Sequence, residues 1–276
     1  MDAAGWRDAM REWALPDVIL AAAPESPWGF PVELFRSRAE LATDGDLTFA
    51  NRRASDALPK GGTVLDVGAG AGAASMPLRQ RCSLIVAVDS SAEQLSEFGR
   101  QADRAHVTAR TVAGEWPAVA TRTPICDVVV CNHVAYNVAD LAPFVLALTS
   151  HARRRVVMEI TTRHPTAWMA DLWWRFHALS RPGHPDANDL VSVLRTLGLP
   201  ARRHAAISPR RAGGFERRED AVAWIRRRLC LDAARDGDVA AALGERLVHD
   251  GAFWSVRPPS EPVVTVWWDV RPEIAE

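Results

Sequence analysis

Val64-Leu65-Asp66-Val67-Gly68-Ala69-Gly70-Ala71-Gly72-Ala73 is the stretch on which the fold turns. An apolar run of strand length ends in alternating glycines, and the sequence predicts that the chain leaves the strand there and enters a helix over 73–80. Glycine tolerates positive φ and lets a ligand approach the backbone with no Cβ in the way. The start of a helix adds backbone N–H groups that have no partner within the helix. Gly68-x-Gly70-x-x-Ala73 also satisfies the dinucleotide-binding pattern, so the loop alone leaves the ligand open. Two acids narrow it. Asp66 lies inside the strand, where a carboxylate is costly unless paired. Beside a pyrophosphate it would repel; beside a cationic ligand carrying an amino group it fits, which disfavours a nicotinamide-dependent oxidoreductase. Asp89 ends the next apolar run, the place from which a carboxylate reaches ribose hydroxyls.

Outward from this loop, apolar runs alternate with helical patterns. The runs are 63–67, 84–88, 107–112, 127–131 and 155–160, with two further strands at 201–207 and 262–269. Helices are expected over 91–103, 139–150, 186–197, 218–230 and 236–248. Upstream they are expected over 4–23 with a break at Pro16, and over 32–42 and 46–57. Near-continuous apolar strands separated by helices indicate a parallel sheet covered on both faces. Right-handed crossovers then give an α/β, doubly wound, mostly parallel seven-stranded sheet with helices on both faces and a helical cap.

With these residues in hand, the chain resembles the class I S-adenosylmethionine-dependent methyltransferases. The resemblance rests on Asp66-Val67-Gly68-Ala69-Gly70-Ala71-Gly72 and Val86-Ala87-Val88-Asp89-Ser90-Ser91. Gly114-Glu115-Trp116 resembles the adenine-contacting turn, with Glu in place of the usual Asp, and Asp127-Val128-Val129-Val130-Cys131-Asn132-His133 the fourth strand and active-site turn. The resemblance implies S-adenosylmethionine as cofactor. Gly68, Gly70 and Gly72 would pack on its methionine and ribose, with Asp66 behind the loop on the amino-group side. Asp89, with Ser90 beside it, would hold the ribose. Glu115 would accept from the adenine amino group, Trp116 would supply a backbone N–H or an apolar face, and Asn132 would line the methionine end.

The resemblance spans about residues 46 to 207, so the acceptor falls to the other segments. We divide the chain into an N-terminal helical cap, 1–45, and a methyltransferase domain, 46–276, with cap insertions at about 161–183 and 209–258. These segments hold Trp6, Trp13, Trp28, Trp168, Trp173, Trp174, Trp224 and Trp254. Such aromatics line apolar pockets or pack caps onto sheets, and Trp28, between Pro27 and Gly29, is the least like a helix-core residue. His133 and Tyr136, after the fourth strand, are the expected catalytic residues, with His133 poised as a base. Glu159 and His164 also lie where an acceptor would sit. Asn132-His133 departs from the Asn-Pro-Pro-aromatic signature of enzymes that methylate planar amide or base nitrogens. The expected activity is methyl transfer to an oxygen or nitrogen of a small molecule; the alternatives are an RNA methyltransferase and a non-catalytic S-adenosylmethionine-binding protein.

Composition sets the outer bounds. The 276 residues carry a formal net charge of −1, with 48% hydrophobic and 24% charged residues, which is ordinary globular usage. Lys60 is the only lysine among 33 basic residues, a bias we ascribe to codon usage. Arginines cluster at 153–155, 202–203, 210–211, 217–218 and 226–228, which motivates the RNA alternative, but interspersed acids argue against a basic surface. The eight histidines lack ligand spacing, so no metal is expected. Cys82, Cys126, Cys131 and Cys230 form no C-x-x-C pair, and the five-position spacing of Cys126 and Cys131 predicts opposite faces of one strand. With no signal peptide and no apolar run of membrane length, a cytoplasmic protein is expected, with no membrane partner.

Overall fold

A computed structural model of the chain describes residues 1–28, 46–207, 214–256 and 262–270, together with Arg36, Ala39, Glu40 and Ala42. The helix expected over 32–42 falls largely outside the described residues, as does the pair Arg210-Arg211. The chain forms α1 (Ala3–Glu12), α2 (Asp17–Ala22), α3 (Phe49–Ala57), β1 (Gly62–Val67) and β2 (Cys82–Asp89). Next come α4 (Ala92–Arg104), β3 (Ala109–Ala113), β4 (Cys126–Asn132), α5 (Leu141–Ser150) and β5 (Ala152–Thr161). They are followed by α6 (Ala170–His177), α7 (Ala187–Thr196), β6 (Arg202–Ala206) and α8 (Arg218–Arg228). The chain ends with α9 (Asp236–Leu243), β7 (Leu247–His249), β8 (Trp254–Val256) and β9 (Val263–Asp269).

Seven strands form one sheet in the order β3-β2-β1-β4-β5-β9-β6. β1 to β5 run parallel, Leu65 pairing with Val86 on one side and Val129 on the other. β9 alone runs against its neighbours, pairing Val157 with Trp267 and Arg203 with Val266. The order turns back at β1, and ligands of open α/β sheets bind beyond the strand carboxyl ends at such a switch point. Alternate residues of each strand enter opposite cores. Leu65, Val86, Val129 and Val156 face α1, α5 and α7 through Trp6, Phe144 and Leu190. Val64, Ile85, Val128 and Val157 face α3 and α4 through Ala54 and Phe98. A third core is separate and joins Leu15, Met169, Leu172, Trp173, Ile225, Val239 and Val256. It therefore unites residues from all three segments assigned to the cap, whereas Trp6 of α1 belongs to the sheet.

Three expectations are corrected. Residues 73–80 form no α-helix, only a 3-10 turn over Met76–Leu78. Pro77 has no N–H to give and its ring crowds the preceding turn, so a helix cannot propagate through it. The helix expected over 236–248 stops at Leu243, where Gly244 takes φ 51°, and residues 247–249 instead open the β7-β8 hairpin. Cys126 and Cys131 share one core cluster rather than opposite faces, because the β4-β5 register shifts between Cys126 and Val128 and reverses the alternation. Among the described residues, no helix is long and apolar enough to cross a membrane.

Candidate active site

The glycine loop is shaped by what surrounds it. Gly68, Gly70 and Gly72 take φ of 71°, 51° and 97°, a region that side chains with a Cβ disfavour. A Cβ on Gly68 would lie 2.3 Å from Cγ2 of Val134, so the loop after β1 sits directly against the turn after β4. A Cβ on Gly72 would meet Met76 and Phe98. The N–H groups of Gly68 and Ala69 both donate to the Val88 carbonyl, at 2.8 and 3.1 Å. Asn51 of α3 donates from Nδ2 to the Ala74 carbonyl at 2.8 Å, and Asn51 is itself held by a reciprocal cap with Thr48. This brace was not legible in the motif; its sequence signal is the Thr48-x-x-Asn51 spacing.

Asp89 organises the second loop. One carboxylate oxygen accepts from the Gly70 N–H and the other from the Ser91 N–H, both at 2.9 Å. Its backbone carbonyl accepts from Gly114 N–H at 2.9 Å. A carboxylate offers about four lone-pair positions, so two remain for ribose hydroxyls. Ser90 is exposed beside it. Gly114 takes φ 140°, and a Cβ there would strike Val119 at 2.4 Å. Glu115 is exposed at this turn, while Trp116 is pinned: its Nε1 donates to the Phe144 carbonyl at 3.2 Å and its ring meets His151 edge-on. Only the backbone and a ring face of Trp116 are left for a ligand. Asp66 is fully buried in β1 between Ala87 and Val130. Burial first, and the Asp66 charge second, push the Cys131 thiol well above its ordinary range, which leaves it un-ionised.

At the ends of β4 and β5, Asn132 pairs with Glu159. The Oδ1 of Asn132 is buried and accepts from none of the described residues. His133 takes φ 62°, and its N–H donates to the Glu159 carbonyl at 2.6 Å. Its Nε2 lies 3.3 Å from Oε1 of Glu159; the imidazole is 51% exposed and the carboxylate 3%. The buried acid thus orients a ring that reaches solvent. Tyr136 is the other residue expected to be catalytic. It is buried, its hydroxyl donates to the Thr161 carbonyl at 3.0 Å, and its ring stacks on Trp6. The phenol is committed to joining the two turns.

His164 lies on the same side, its ring 5.3 Å from that of Tyr136 and stacked on Trp13 at 3.8 Å. Burial, then the Arg181 and Arg228 cations, lower its pKa to about 3, so it is neutral. Trp28 and Trp174 are exposed, whereas Trp13 and Trp173 are buried. One His/Asp group, His184, Asp186 and Asp189, brings its donor atoms within 4.8 Å of one another. Asp186 and Asp189 already cap α7, and Asp189 accepts from His184, so these groups serve the helix start.

The glycine cradle, the Asp89 carboxylate and the unmatched Asn132 oxygen suit a ligand with a ribose and an ammonium group. The family model for a methyltransferase domain matches residues 42–202. The chain belongs to the methyltransferase-domain family. The cofactor of this methyltransferase is S-adenosylmethionine, and the residues above fit it. The fold is shared with the YcgJ protein from Bacillus subtilis, at 14% identity and a TM-score of 0.51, covering 80% of this chain and 97% of that one. Magnesium protoporphyrin IX methyltransferase from Synechocystis, with bound SAH, is similar at 19% identity and a TM-score of 0.45, covering 64% and 88%. A SAM-dependent methyltransferase from Aquifex aeolicus is similar at 15% and 0.44, covering 65% and 94%. No curated protein is similar enough in sequence to count as a match.

Proposed function

We propose that this methyltransferase acts on an oxygen or nitrogen of a small molecule held between the strand ends and the third core, with His133 as the base. The division into a cap, 1–45 with the insertions at 161–183 and 209–258, and a methyltransferase domain is part of this reading. The observation that carries it is the pairing of the exposed His133 imidazole with the buried Glu159 carboxylate at 3.3 Å. Gly68, Gly70 and Gly72 cradle the methionine and ribose portion of the cofactor, Asp66 supports the loop from behind, and Asp89 with Ser90 takes the ribose. Glu115 and Trp116 flank the adenine, and the Asn132 Oδ1 accepts from the ammonium group. When bound, S-adenosylmethionine supplies an electrophilic methyl group on a sulfonium.

His133 would take the acceptor's proton at Nδ1, leaving the acceptor's lone pair for the methyl group that the bound cofactor would supply. With the Glu159 carboxylate 3.3 Å from Nε2, Nδ1 is the nitrogen left to take the proton, and the carboxylate faces the imidazolium that forms. Tyr136 acts by fixing the turn rather than by moving a proton. Positioning supplies much of the remaining rate. The four cysteines are free thiols, the state that a reducing compartment maintains, which supports action in the cytoplasm.

The test is His133→Ala, measured as single-turnover methyl transfer beside S-adenosylhomocysteine affinity. Loss of about 10²–10⁴-fold in rate with affinity kept is the expected result for a general base. A near-normal rate removes the base, and parallel loss of affinity and melting temperature assigns His133 to the turn alone.

A further inference from the structure

The cations of the third core differ in how they are matched. Arg226 is buried and lies 3.0 Å from Glu25 and 2.9 Å from Asp236. Arg246 lies 2.9 Å from Asp171. Arg181 has no carboxylate among the described residues. Its Nη2 donates to the Trp13 carbonyl at 2.6 Å, and its Nε is buried and donates to nothing described. The guanidinium lies over the Trp13 ring at 4.9 Å and the Trp173 ring at 5.4 Å. This half-buried cation is held by two ring faces and one carbonyl, with no acid among the described residues beside it, and burial pushes its pKa down.

His164 shares the Trp13 ring and adds a second donor. Its Nδ1 accepts from the Thr166 N–H at 3.3 Å and lies 2.9 Å from the Thr166 hydroxyl. That network assigns the proton to Nε2, which has no acceptor among the described residues. Through Tyr136 this pair of donors is one ring away from the turn that carries His133.

We propose that Arg181, framed by Trp13 and Trp173 and joined by the Nε2–H of His164, is the anion subsite of the acceptor site, and that the acceptor is a small apolar molecule bearing a carboxylate remote from the methylated atom. This rests on the methyltransferase reading of the site. The carboxylate supplies the countercharge, and the Trp13 and Trp173 rings supply the apolar faces beside it.

Calorimetry on protein saturated with S-adenosylhomocysteine tests it, with benzoate, 4-hydroxybenzoate and indole-3-acetate against their amides. At least one acid should bind on the order of tenfold or more tighter than its amide, the scale of a hydrogen bond to a charged group. Arg181→Gln should abolish that preference while S-adenosylhomocysteine affinity stays unchanged, and Arg181→Lys should keep part of it. In the unaltered protein, bound acid should raise the His164 titration midpoint seen by NMR of the imidazole C–H protons. This readout needs no variant to fold. Equal binding of acids and amides, no binding by any acid, or a preference that survives Arg181→Gln overturns the subsite. Failure of the protein to bind S-adenosylhomocysteine at all would instead refute the reading beneath it.

Discussion

His164 is neutral because burial, reinforced by the Arg181 and Arg228 cations, lowers its pKa from 6.5 to about 3. In the unfolded chain the same ring titrates near 6.5. The folded state therefore gains from the neutral ring at and above pH 6.5 and loses that gain as pH falls toward 3, because the unfolded chain takes up the proton first. One such group contributes a slope of about 1.4 kcal/mol per pH unit within the window. His164→Phe keeps a flat ring on Trp13 and removes the titration. Melting temperatures followed from pH 7 to pH 4 should fall less steeply for this variant than for the parent; parallel curves would mean that His164 protonates freely. At this scale the sequence was uneven. The positive-φ turn at Gly68, Gly70 and Gly72 and its tie to Asp89 stand in a motif and were legible. Arg181 was not, since Trp13, whose carbonyl and ring it meets, is remote in sequence and no spacing links the two. The contact of the Tyr136 hydroxyl with the Thr161 carbonyl was not legible, because nothing local announces it.

At the level of elements, the candidate site is made by three loops tied at the carboxyl ends of the strands. The loop after β1 donates to Val88 and Asp89 of β2, the turn after β3 donates to Asp89, and the turn after β4 donates to Glu159 of β5. The strands that set these loops were readable because a parallel sheet demands continuous apolar runs. The helix after β1 was misread because Pro77 outweighs the helical propensity of its neighbours, and Cys126 because a bulge is invisible to alternation. The closest approach between loops is Gly68 against Val134, and it yields a double-mutant cycle. Gly68→Ala must place a Cβ at φ 71° and at 2.3 Å from a methyl group. The backbone strain costs about 1–2 kcal/mol and the overpacking about 1–3 kcal/mol. Gly68→Ala should therefore lower stability by roughly 2–5 kcal/mol on these two costs and weaken S-adenosylhomocysteine binding. Adding Val134→Ala should restore the packing part only, about 1–3 kcal/mol of coupling in urea denaturation. Strict additivity would show that the loops do not press on each other.

For the whole molecule, the decision between a small acceptor and RNA rests on where the arginines point. A basic surface needs cations in a continuous stripe with no nearby acids. Here they are distributed in local pairs: Arg100 with Glu97, Arg104 with Glu40, Arg155 with Asp269, and Arg246 with Asp171. Arg226, in one of the two runs of three arginines, is turned inward onto Glu25 and Asp236. The cluster at 226–228 therefore belongs in part to the interior beside the third core, which its sequence does not disclose, because α8 is as rich in charge as any surface helix. With a formal net charge of −1, long-range attraction to phosphates is also weak. Each phosphate contact that releases a counterion steepens the salt dependence by about 0.7 for a single strand. Filter retention of a labelled RNA should accordingly be weak at physiological salt and nearly flat as salt is raised. Tight retention that collapses with added salt would require several unpaired arginines aligned on one face. It would turn the acceptor assignment from a small carboxylate-bearing molecule to RNA.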